Sequence, residues 1–284
     1  MTASSRAATV LVGVDDTSHT HLAAAWAAAQ AQRWEAGLRV VHAVEAEDDK
    51  ETEERVTEAA AQVLDDVRRR ITAAHPGLCV DTVLARDEPA EALLAAVPDA
   101  ALLVVGTRGR GGFAGLLLGS VSQKVAAHAA CPVIVVRGHP DPDVSGAVVV
   151  GVRDERDEPA VRFALAEAER RAAPVRLLHA WRPTGGAGPM VPEVSRMDDE
   201  RDAHAALLNH AARPVAEFPR VHVGTELAVG SAAGALVAAS NGAGLVVVPR
   251  HPAGRFGTRL GSVVHAVLHH AECPVAVVPT GGDG

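Results

Sequence analysis

Apolar residues fall along this chain in short blocks separated by longer amphipathic stretches, and the whole succession occurs twice. In the first half, blocks at about 8–14, 38–45, 79–85, 101–106 and 132–137 predict strands. Stretches near 18–36, 50–75, 88–97 and 119–129 carry helical spacing between them. Runs such as VLVGV, LLVVG and VIVV are apolar at every position rather than at alternate ones. Strands of that kind are buried on both faces, as in a parallel sheet covered by helices on each side. Alternating strands and helices therefore predict right-handed crossovers and a doubly wound α/β fold. The helix near 50–75 opens with EAEDDKETEER, a solvated face with acids near a helix amino end.

The repeat is measured by its landmarks. Gly13 and Gly151 are 138 residues apart and His42 and His179 are 137 apart. Leu93 and Leu236 are 143 apart, whereas Gly119 and Gly261, like Cys131 and Cys273, are 142 apart. Spacing this steady marks a duplication. Segment 137–146, RGHPDPDVSG, has linker composition and predicts two domains, 1–138 and 146–284. A second stretch, RPTGGAGPMVPEVSR at 182–196, reads as a surface loop without chemistry.

One loop survives intact in only one copy. VVGTRGRGGFAGLLLGSVSQKV places Gly106, Gly109, Gly119 and Ser120 between a strand and a helix. A phosphate needs several N–H groups pointing one way, no Cβ in the path and a helix amino end behind them. Ser120 and Ser122 add hydroxyls, and Arg108 and Arg110 read as exposed arginines within reach of an anion. One helix-end contact contributes about 0.3–1 kcal/mol, whereas micromolar binding requires about −8 kcal/mol. A base pocket must therefore supply much of the remainder. In a doubly wound sheet it lies at the carboxyl ends of the strands, where the strand order reverses. Asp15 ends the first strand there, Ala43 the second, and Val105 and Gly106 the fourth.

The second copy has Pro249 and Pro252 in place of Gly106 and Gly109, a loop one residue shorter, and Arg153 in place of Asp15. Each proline removes an N–H and fixes φ. Gly261 and Ser262 remain, with Arg250, His251, Arg255 and Arg259 nearby. One good nucleotide site per chain is expected.

Composition narrows the alternatives. An apolar fraction of 48% with 2% aromatic residues predicts cores filled by Ala, Val and Leu. A net charge of −8 argues against a nucleic-acid partner. Three dispersed cysteines fit neither a disulfide framework nor a zinc site. No apolar run is long enough for a membrane span or resembles a leader, so a cytoplasmic protein is expected. Gly109–Ala114 matches a dinucleotide fingerprint by letters, but it follows the fourth strand instead of the first. Neither lysine, Lys50 or Lys124, follows a glycine, which excludes a Walker loop. The fourteen histidines lack metal spacing, and no nucleophile–base pair is visible.

On these residues the chain resembles the tandem form of the universal stress protein family, with both copies covered from end to end. The resemblance implies two five-stranded parallel sheets of order 3-2-1-4-5. The family's nucleotide pattern fits Gly106, Gly109, Gly119 and Ser120, and its first-strand aspartate corresponds to Asp15, with Gly13 beside it. Ala43 and Val105 would line the adenine pocket, with Arg110, Val121 and Ser122 extending the phosphate site. The terminal strands VIVV and VAVV resemble the family's pairing edges, implying an intrachain pseudo-dimer and a homodimer. ATP, with or without Mg²⁺, and a stress-response role with an unidentified regulatory protein partner follow from the resemblance. Two other readings remain open at this point: a nucleotide-independent interaction module with vestigial sites, and a slow ATPase acting as a timer.

Overall fold

The computed structural model describes residues 8–17, 20–46, 48–107, 118–137, 146–183, 193–252 and 260–281, with backbone alone for 193–196. The chain divides into two compact units, Met1–Val144 and Ser145–Gly284. The expected linker core, 138–145, lies outside the described residues.

The first unit runs β1 (Thr9–Val14), α1 (Thr20–Arg33), β2 (Gly37–Val44), α2 (Lys50–Ala74) and β3 (Val80–Arg86). It continues through α3 (Pro89–Ala96), β4 (Leu102–Gly106), α4 (Ser120–His128) and β5 (Val133–Val136). All strands are parallel, in the order β3-β2-β1-β4-β5. The second unit repeats this with β6 (Val148–Gly151), α5 (Glu158–Arg171), β7 (Val175–Trp181), α6 (Glu193–Ala211) and β8 (Val223–Val229). It ends with α7 (Ala232–Ala239), β9 (Leu245–Arg250), α8 (Ser262–His270) and β10 (Val275–Pro279). Its order, β8-β7-β6-β9-β10, is the same arrangement. Doubly wound parallel sheets thus form in both copies, as the all-apolar runs require.

Small side chains set the packing distances. Ala23, Ala24, Ala27, Ala28 and Ala31 of α1 are buried, which brings its axis close to the sheet around the buried Trp26. The charge-rich start of α2 is capped by Asp49, whose carboxylate accepts the Thr52 N–H at 2.8 Å. That bond holds the Asp49 carboxyl below the usual carboxylate range. Gly13 is where α3 rests on β1: a Cβ there would meet Leu93 Cδ1 at 2.8 Å. The pair recurs in the second unit, where a Cβ on Gly151 would meet Leu236 Cδ1 at 2.9 Å.

Both units also end their first helix in the same way. Ala36 N–H reaches back to Ala31 O at 2.9 Å across Glu35, which has φ 51°. Ala173 N–H likewise reaches Ala168 O at 2.9 Å across Ala172, with φ 49°. A non-glycine residue in the left-handed region carries a steric cost. Among the described residues, no helix is long and apolar enough to cross a membrane.

Two stability changes follow. Ala172→Gly should raise the unfolding free energy of its unit by about 0.5–1 kcal/mol, because relief of the left-handed strain exceeds the added unfolded-state entropy. Gly13→Ala should lower that of its unit by about 1 kcal/mol, and by less when Leu93 is also truncated to Ala. Urea titrations of the two transitions measure both effects.

Candidate functional site

At the carboxyl edge of the first sheet, β1 and β4 are neighbours, with Val12 opposite Val104, while β2 lies on the other side of β1, with Val14 opposite His42. The chain leaves β1 toward α1 and leaves β4 toward α4, so the edge opens where the winding reverses. Asp15, Ala43 and Gly106 stand at these strand ends.

Asp15 does local work first. Its Oδ1 accepts the Thr17 N–H at 3.0 Å, the Thr17 hydroxyl at 2.6 Å and the Thr20 hydroxyl at 2.6 Å. Its own N–H returns to Thr20 Oγ1 at 2.8 Å. The carboxylate thereby organises the turn into α1 while, among the described residues, no bond falls on Oδ2. The threonines were not singled out from sequence, although Asp-Asp-Thr followed by Thr20 is the composition of an Asx turn.

Ala43 is half-buried on β2 opposite Ala85 of β3, and Val105 is buried opposite Val135 of β5. Gly109 and Arg110, like Arg108, lie outside the described residues. The two ends of their loop are pinned together, since Gly119 N–H donates to Thr107 O at 2.7 Å. Gly119 has φ −78° and ψ 157°, a conformation open to any residue, and among the described residues no side chain caps the start of α4, nor that of its counterpart α8. The first-turn amides of α4 are thus available to an acceptor from outside the helix. Ser120 is exposed beside them and Val121 is half-buried. Ser122 faces the other way: it is buried, and its hydroxyl donates to Gly106 O at 2.6 Å, joining α4 to β4. Its hydroxyl is committed to backbone, so its contribution here is to place the amides. Gly13 is likewise engaged in packing against Leu93.

The corresponding edge of the second unit is filled by its own groups. Asp157, fully buried in the turn after β6, accepts the N–H of Arg153 at 2.6 Å and of Asp154 at 3.3 Å. Its Oδ1 lies 3.0 Å from His251 Nε2, a close contact without hydrogen-bond alignment. His251 Nδ1 lies 3.3 Å from Thr280 Oγ1, and that hydroxyl donates to Arg250 O at 3.1 Å. The ends of β6, β9 and β10 are stitched together in this way. Arg153 turns its guanidinium to Asp154 at 3.0 Å. Hydrogen bonds from Arg156, then from Arg153, hold the Asp154 carboxyl far below the usual range.

On the β7 side, His179 Nδ1 contacts Val152 O at 2.8 Å, and His179 Nε2 contacts His204 Nδ1 at 2.8 Å. A carbonyl only accepts, so His179 carries a proton on Nδ1, and in the neutral ring Nε2 is then the acceptor toward His204. The Trp181 ring stacks on His204 at a centroid distance of 4.9 Å. Burial, and then the neighbouring His179, push the His204 imidazole below the usual histidine range. These contacts give His179 a structural role near the end of β7.

A depression of about 630 Å³ lies at the opposite, amino-terminal edge of the first sheet, lined by Thr9, Gln32, Arg39, Cys79 and Asp81 among others. Its arginine is paired, Arg39 with Asp81 at 3.1 Å, and among the described residues no set of donors converges on it. Among the described residues, no group of three or more His, Cys, Asp or Glu side chains is placed to hold a metal ion.

Comparison with known proteins gives a consistent result. The model of the "Universal stress protein family" matches residues 7–137 and again 146–279. A universal stress protein of Mycobacterium tuberculosis is 41% identical over 285 residues, covering 94% of this chain and 95% of the relative. One from Mycolicibacterium smegmatis is 31% identical over 288 residues, covering 95% and 96%. A Thermus aquaticus universal stress protein is 43% identical over 134 residues, 45% of this chain but 98% of its own length, so one unit here corresponds to a whole relative. The crystal structure of a universal stress protein from Archaeoglobus fulgidus superposes with a TM-score of 0.73 at 18% identity, covering 98% of this chain and all of that one. With both halves matched and the fold shared across the full length, this chain belongs to the universal stress protein family and carries two of its units in tandem.

Proposed function

We propose that this protein is a regulatory ATP-binding protein of the stress response that holds one nucleotide, in its first unit. The observation that carries the reading is the contrast between the two carboxyl edges. In the first, Asp15, Ala43 and Gly106 stand at the strand ends beside α4, whose amino end, like that of α8, has no side-chain cap among the described residues. In the second, Asp157 takes the turn amides at the end of β6 and lies against His251, which in turn lies against Thr280.

The roles follow from the chemistry of each group. Asp15 accepts from the nucleoside through Oδ2, while Oδ1 stays with Thr17 and Thr20. Ala43 and Val105 bound the adenine, small and apolar enough to let a ring lie flat. The amides of Ser120, Val121 and Ser122 and the Ser120 hydroxyl take the phosphates, where the helix dipole favours negative charge. Gly109 and Arg110 complete the phosphate side. Any Mg²⁺ arrives with the triphosphate and is held by its oxygens. The second unit serves as a partner that stays closed, and association between copies runs through the terminal strands. Nucleotide occupancy of the first unit sets the conformation of the loop that a partner protein reads.

Denaturing the purified protein and quantifying released nucleotide should give one equivalent per chain; two equivalents would refute the one-site reading. Gly119→Val puts a branched side chain in the path of the phosphates at a backbone conformation any residue adopts. Calorimetry should show ATP affinity lowered by at least about tenfold, with the unfolding transition of the first unit nearly unmoved.

A further inference from the structure

Helix α4 carries Lys124, one of the two lysines in the chain, one turn in from Ser120. Its ammonium lies 2.7 Å from Glu91 Oε1 and 2.9 Å from Glu88 Oε2. Both acids sit at the start of α3, where the Glu88 carboxylate also accepts the N–H groups of Ala90 and Glu91, each at 3.2 Å. Hydrogen bonds to Glu91 and then Glu88 raise the Lys124 ammonium above its usual range, and the same amine lowers the Glu88 carboxyl. With the Ser122 bond to Gly106 O, the first turns of α4 are held from two directions, by β4 and by α3.

The duplication distinguishes what this clamp serves. By the spacings of 142 and 143 residues, Lys124 corresponds to Ala266, Glu88 to Ser231, Glu91 to Gly234, and Ser122 to Val264. All three members of the clamp are absent from the second unit, and so is the serine tie. The packing contact under the same helix is retained, as Gly13–Leu93 in one unit and Gly151–Leu236 in the other. Helices α7 and α8 still pack together without any clamp. The fold therefore does not require it. Half-exposed ion pairs of this kind also contribute little to stability. Among the described residues the amino end of α8 is likewise without a side-chain cap, so what sets the first unit apart is the phosphate proposed above for the helix end that the clamp holds.

We propose that Lys124 is a positioning residue for the phosphate-holding end of α4, joining that helix to Glu88 and Glu91 of α3 so that the amides of Ser120, Val121 and Ser122 keep one direction. The inference rests on the nucleotide reading above. Hydrogen bonds weaken steeply once donors tilt away from their acceptor, so loss of the clamp is felt where several amides must converge on one group. The amine itself stays with the two carboxylates and does not touch the ligand.

Calorimetry of the full chain with ATP and with adenosine tests this, because adenosine lacks the groups that α4 holds. Lys124→Met should weaken ATP about three- to tenfold while adenosine changes less than about twofold. Lys124→Arg should restore the ratio, and the Glu88→Gln/Glu91→Gln pair should reproduce the loss without adding to that of Lys124→Met. An equal loss for both ligands, or a lower unfolding temperature with the ATP-to-adenosine ratio unchanged, would show a merely structural ion pair. A much larger loss in Lys124→Met than in the glutamine pair would place the amine on the phosphate and overturn the positioning role. Folded wild-type protein that binds no ATP overturns the nucleotide reading and the clamp with it. Wild-type binding with an unaltered ratio in Lys124→Met overturns the clamp alone.

Discussion

In each unit, two adjacent parallel strands send their chains in opposite directions, and a gap opens beyond their carboxyl ends into which main-chain N–H and C=O groups project. Those groups need partners, because an unsatisfied buried polar group costs about 1–3 kcal/mol. The second unit supplies the partners from within: Asp157 takes two amides, and His251 links it to Thr280. The first unit orders the corresponding turn through Asp15 and Thr20. Among the described residues the helix that opens onto the gap has no side-chain cap in either unit, and the proposed reading gives that of the first unit a ligand.

Because the two copies share a fold, features common to both report on packing and features confined to one report on chemistry. The glycine under α3 or α7, the left-handed residue closing the first helix, and the small apolar strands recur. The first-strand aspartate, the buried serine on α4 and the lysine clamp do not. Substitutions are coordinated: where Asp15 becomes Arg153, a different acid four residues on, Asp157, becomes the buried acceptor of the turn amides. A vestigial site in which groups had merely been lost would leave those amides orphaned, and here they are bonded.

The glycine spacing and the first-strand aspartate mark the edge where the site is proposed, since strand ends and loop glycines follow from linear patterns. The division of labour among neighbouring residues was not readable. Ser120 and Ser122 are equivalent as letters, yet one is exposed and the other donates into β4. Asp15 reads as a ligand contact, and three bonds to Oδ1 show it also builds the entrance to α1. His204 lies in an unremarkable polar helix, and only the approach of α6 to β7 brings it onto Trp181 and His179. Lys124 carries no motif; its partners are more than thirty residues away.

The sequence alone determined the doubly wound parallel sheet and the duplication, because burial on both faces and the repeated landmarks leave marks at fixed spacings along the chain. Tertiary structure decided which polar groups find each other: the stitched edge formed by Asp157, His251 and Thr280, and the salt-bridge clamp between α3 and α4. Such contacts depend on direction and on distances of about 3 Å between residues remote in sequence. No linear pattern encodes them; only the packing of helices onto the sheet does.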